Sequence, residues 1–130
     1  MKYHIELKYD LEELFRMEDF IQNCKVLNND EVKKLLIIST ELVDNIVSYS
    51  SGHSENVIKV RIYKGMNTSI LFVFHSSSFS VFVSKLHKMD VIFDKNINRY
   101  RGMGMKMCYN LSESIHYRIS NNYNAIRLTV

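Results

Sequence analysis

Arg101-Gly102-Met103-Gly104-Met105 stands where an aperiodic stretch gives way to a helical pattern, in which Met103, Met107, Cys108 and Leu111 recur at i+4, i+5 and i+8. Two glycines at the mouth of a helix leave backbone N–H groups uncovered and let another backbone, or a phosphate, approach closely. The chain has only four glycines, and two of them one residue apart fit either a close approach to the backbone or a plain tight turn, so the motif's weight depends on what else the chain supplies. The residues just before them, 76–100, show no clean period beyond a possible short helix over 83–88. A stretch of this length without a period inside a compact domain reads as a functional loop or a mobile lid.

Upstream, residues 31–49 predict a long helix. At about 100° per residue, Val32, Leu35, Leu36, Leu42, Val43, Ile46 and Val47 form one broad apolar stripe. Lys34, Glu41, Asn45 and Ser48 fall on the other side, with Glu41 and Asn45 one turn apart and Ile37 and Ile38 flanking them. An ordinary solvated face accounts for that pattern. A carboxylate and an amide on a partly apolar wall also have a chemistry of their own. The amide oxygen suits a hard cation such as Mg²⁺, and the carboxylate can order or deprotonate a nucleophile.

The remaining segments build around these two. Tyr3, Ile5 and Leu7 alternate with polar residues as in a half-buried strand. A helix follows from Leu11 to about Val26, with Asp10 as its cap, and Asn28-Asn29-Asp30 breaks the chain and caps the next helix. Val57–Tyr63 and Ser69–Phe74 read as antiparallel strands joined around Gly65-Met66-Asn67, and Ile115–Ile119 and Ala125–Val130 as a closing hairpin across Asn121-Asn122. The order β-α-α-β-β-loop-α-β-β over residues 1–130 describes a single domain. It would be an α+β two-layer sandwich, a mixed sheet of four or five strands with three helices on one face.

Composition narrows the function. Hydrophobic content of 46% with 24% charged residues is that of a soluble globular chain with an ordinary core. The net charge of +3 is mild and the basic residues are scattered along the sequence, so no footprint calls for nucleic acid or a membrane. Apolar runs are too short to span a bilayer. Cys24 and Cys108 have no metal-ligand spacing and read as reduced thiols, which places the chain in a cytoplasm.

Taken together, Glu41-Leu42-Val43-Asp44-Asn45 resembles the Glu-x-x-x-Asn box of the ATPases shared by gyrase, Hsp90, histidine kinases and MutL. Arg101-Gly102-Met103-Gly104-Met105 resembles their second glycine box, at the end of the ATP lid. The closing Ala125-Ile126-Arg127-Leu128-Thr129-Val130 is similar to their last sheet strand. Within that group the chain looks most like the anti-sigma-factor serine kinases. The resemblance implies the Bergerat ATP-binding fold, ATP and Mg²⁺ as ligands, and a protein partner such as a sigma factor or its antagonist, with a homodimer as a further possibility. By position, Asn45 would be the Mg²⁺ ligand and Glu41 the catalytic residue, as a base or a water-orienting carboxylate. The backbone at Arg101, Gly102, Met103, Gly104 and Met105 would cradle phosphates.

The chain departs from the pattern at the adenine side. The first glycine box should follow Phe74, yet His75-Ser76-Ser77-Ser78-Phe79 holds neither aspartate nor glycine. His75 or Ser76 would then offer an uncharged acceptor, and Tyr123-Asn124 stands where relatives carry Gly-Thr. Two functions remain open: a regulatory kinase-like module that holds one partner and phosphorylates another, and a non-catalytic interaction module that has lost nucleotide. The detached catalytic half of a histidine kinase fits the first strand and helix less well.

Overall fold

The computed structural model describes residues 2–49, 56–75, 92–94, 99–101, 103–120 and 123–130, with side chains omitted at 49, 92–94, 99–101, 103–105 and 120. Its elements are β1 (Lys2–Lys8), α1 (Glu13–Gln22), α2 (Asn29–Tyr49), β2 (Val57–Lys64), β3 (Thr68–His75), β4 (Ile92–Asp94), β5 (Arg99–Arg101), α3 (Met103–Leu111), β6 (Ser114–Ser120) and β7 (Tyr123–Thr129). Five strands form one sheet in the order β1-β2-β3-β7-β6. Every neighbouring pair is antiparallel, so the sheet is not mixed as expected. Each connection inside it is a hairpin or a return from the helical layer, and none runs a strand alongside its predecessor in the same sense.

Strand alternation divides the sheet into two faces. Leu7, Ile58, Val60, Ile62, Ile70, Phe72, Phe74, Ile126 and Leu128 point inward and are buried. They meet Met17 and Ile21 of α1, Leu35, Ile38, Leu42, Val43 and Ile46 of α2, and Cys108 of α3 in one core. The three helices therefore cover one face, as the order of elements predicts. No described element packs on the other.

Helix starts follow local chemistry. Asn28 and Glu31 form a reciprocal capping box: the Glu31 N–H donates to Asn28 Oδ1 at 2.8 Å, and the Asn28 N–H to Glu31 Oε1 at 3.0 Å. The helix opens at Asn29 for that reason. Asp10 instead makes an Asx turn, accepting from the Glu12 N–H at 2.9 Å, so α1 starts at Glu13 rather than Leu11. It ends at Gln22, where the Asn23 side chain and N–H both donate to the Asp19 carbonyl.

Two further corrections concern α2 and the stretch before α3. Ile38 lies only about 40° from Leu42 on a helical wheel and is wholly buried, so it belongs to the core stripe rather than flanking a polar face; Ile37 is the exposed one. Residues 92–94 and 99–101 pair as a small separate sheet, Ile92 with Arg101 and Asp94 with Arg99. That leads straight toward α3, where no strand was expected. The possible helix over 83–88 and the greater part of the expected lid lie outside the described residues.

Candidate functional site

Glu41 and Asn45 sit on the shoulder of α2, where the buried stripe gives way to solvent, and both are half-buried. Against α2 packs α3, whose one buried described side chain is Cys108. Burial first, and then the negative charge of Glu41, push the Cys108 thiol up to about 12. Glu41 therefore lies near Cys108, on the side of α2 that α3, the helix of the glycine pair, packs against. Met103, Gly104 and Met105 form the first turn of that helix, and Arg101 ends β5 immediately before it. Gly102 lies outside the described residues. Glu41, Asn45 and the glycine-bearing helix thus share one side of the molecule.

The adenine-side candidates are split between the two faces of the sheet. Asn124 pairs with Phe74, points inward and is buried, on the same face as α2. His75 pairs with Tyr123 one register step away, so its side chain points outward. There its ring meets that of Tyr123 with centroids 3.9 Å apart. His75 is not brought together with Glu41, Asn45 or Asn124, and Ser76 lies outside the described residues.

What holds His75 was not foreseen. Tyr9, just past β1, reaches the end of β3: its hydroxyl donates to the His75 carbonyl at 2.9 Å and accepts from the His75 N–H at 2.8 Å. One phenol so satisfies both backbone groups that would otherwise pair with β2, whose ladder with β3 stops at Lys59–Val73. Burial holds the Tyr9 hydroxyl above its ordinary range, keeping it a donor. The exit of the chain toward residue 76 is fixed from the far end of the sheet. The sequence signal was only a tyrosine after a strand.

Among the described residues no three His, Cys, Asp or Glu side chains cluster as a metal site, and no helix is long and apolar enough to cross a membrane. The oxygen donors Glu41 and Asn45 suit a hard cation as a donor set. The outward His75 does not suit an adenine held on the helical side.

No family model and no curated protein matches the chain. Its fold is similar to that of the RsbU and RsbW domains of Rv1364c from Mycobacterium tuberculosis, a crystal structure matched with a TM-score of 0.67 at 11% identity over 99% of this chain. The chain spans 32% of that structure's length. At such identity the likeness concerns the fold: an α+β sandwich with a five-stranded antiparallel sheet and three helices.

Proposed function

We propose that this chain is a regulatory module of the anti-sigma-factor type, acting mainly by holding a partner protein, with a nucleotide site impaired on its adenine side. What supports this reading is the pairing of an RsbW-like fold over nearly the whole chain with the packing of α2, which carries Glu41 and Asn45, against the helix of the glycine pair. RsbW domains are anti-sigma-factor kinases, which is why a partner of the sigma-factor or antagonist kind is favoured. A homodimer would suit the same reading.

If ATP and Mg²⁺ are used, Asn45 would hold the metal, the backbone at Met103–Met105 the phosphates, and Glu41 would take a proton from an attacking hydroxyl. ATP would supply the transferable phosphoryl group. The outward His75 and the missing aspartate favour the second reading, an interaction module without catalysis. An adenine-directed carboxylate contributes a charge-assisted hydrogen bond of about 1.5–3 kcal/mol, so its loss weakens binding roughly tenfold to a hundredfold.

Calorimetric titration of ATP·Mg²⁺ separates the readings. Weak or undetectable binding is the expected result, and submicromolar binding would restore the active kinase. Should nucleotide bind, Asn45→Ala is expected to lower Mg²⁺-dependent affinity, whereas Glu41→Ala spares affinity and abolishes transfer. Equal losses of binding in both variants would mean that the pair is structural. His75→Asp would place its carboxylate beside Tyr123 on the outer face, so no rescue of ATP binding is expected from it.

A further inference from the structure

The basic residues that look scattered in the sequence are gathered by strand alternation. Lys2 and Lys8 on β1, Lys59 and Arg61 on β2, Arg127 on β7 and Arg118 on β6 all occupy outward positions. Glu6 is the single carboxylate among the outward positions of the five strands. Register aligns a band across the whole sheet: His4 opposite Arg61, Arg61 opposite Leu71, Leu71 opposite Arg127, Arg127 opposite His116. The Cα positions of Arg61 and Arg127 lie two strand spacings apart, roughly 10 Å.

Among the described residues nothing neutralises Lys59, Arg61, Arg118 or Arg127. The ion pairs among the described residues involve Arg16, Lys34, Lys64 and His4, and none involves Lys59, Arg61, Arg118 or Arg127. Arg61 Nε is buried with no acceptor among the described residues. Arg127 is held in place by two neutral groups: Nε donates to Ser69 Oγ at 3.2 Å, and the guanidinium lies 4.8 Å above the Tyr63 ring. Beside it a concavity of about 490 Å³ is lined by Ser69, Ser114, His116 and Thr129 as well as Arg127. Hydroxyls around a pre-oriented guanidinium are the donor set of a phosphate site.

From this arrangement we infer that the face of the sheet that no described helix covers binds single-stranded nucleic acid. Cations supply contacts to the phosphate backbone, and half-exposed Tyr123, tilted against the His75 ring, supplies a ring on which a base can lie. An acidic protein fits less well. The outward apolar residues Leu71, Val73 and Ala125 are already partly covered by their neighbours. They leave little of the desolvated apolar centre on which a stable protein interface rests. The inference is independent of the nucleotide site and of any sigma-factor-like partner.

Fluorescence anisotropy of the full chain with labelled twenty-nucleotide oligo-dT and oligo-rU tests it. With about four phosphates engaged, affinity should fall roughly fifty-fold between 50 and 200 mM salt, a log–log slope near −3. Arg127→Ala and Arg118→Ala should each reduce the slope by about 0.7. Tyr123→Ala should weaken binding about tenfold and leave the slope alone. Lys33→Ala, on the helical side, should change nothing, and circular dichroism confirms that each variant is folded. Absence of binding at 50 mM salt would overturn the inference, as would binding that Arg118→Ala and Arg127→Ala leave intact. Equal affinity for poly-glutamate, or for phosphatidylserine vesicles, would also overturn it and assign the face to an acidic protein or a membrane.

Discussion

Glu31 shows how much one side chain can tie together. It caps α2 through Asn28 and takes Lys64 Nζ at 2.8 Å on both oxygens and the Thr68 hydroxyl on one. It thereby fastens the helix start to the β2–β3 hairpin. Burial by itself would raise its carboxyl, but the Asn28 N–H, Lys64 and Thr68 together hold it down to about 2 from an ordinary 4.5. A depressed carboxyl stabilises the fold fully above about pH 4.5, and the contribution disappears as pH falls toward 2. Its size is on the order of 3 kcal/mol at 1.36 kcal/mol per pH unit. Glu31→Gln should therefore lower urea stability at pH 7 by about 2–3 kcal/mol, with wild type and variant converging as pH approaches 2. A gap of constant size across that window would show that the charge is not the cause. Tyr9→Phe removes both bonds to His75 and should cost about 1–3 kcal/mol in the same assay. Cys24 and Cys108 are both buried, so neither should react with a thiol reagent at pH 8 until denaturant is added. Native labelling of Cys108 would mean that α3 opens readily.

Among the elements, α2 was the most legible in advance. Its apolar residues recur over 21 residues, long enough for the period to stand clear of noise. Leu42 sits at its centre, wholly buried, and Leu42→Ala should cost about 2–5 kcal/mol in thermal or urea unfolding. The strands of the main sheet were legible for a similar reason, since seven or eight residues show three full alternations. Three-residue β4 and β5 show barely one and left no pattern to read. Tertiary placement was harder still. That Glu41 lies near Cys108 depends on how two helices pack, while the facing of His75 depends on β3 running as far as residue 75, where the Tyr9 hydroxyl holds it. The basic face was hidden because cations spaced two apart on separate strands leave no run in the linear order. Only the register brings Arg61 and Arg127 into line.

At the scale of the molecule, one core joins all three helices and the sheet, and heat or urea should unfold the chain in a single transition seen alike by near-UV and far-UV dichroism. Two separated transitions would mean that α1 and β1 form a unit of their own. The strand order carries a consequence for synthesis. β7 lies between β3 and β6, and Ile70, paired with Ile62 on one side, finds its partner on the other side in Leu128. While the chain is being made, β1, β2 and β3 can zip together from near neighbours, but the far edge of β3 then stands bare, with Phe72 and Phe74 beside it. That edge is open to pairing with other nascent chains until the last strand leaves the ribosome. A ribosome-associated chaperone would find its longest window of contact there, and slowed translation of residues 100–130 should raise the aggregated fraction of newly made protein.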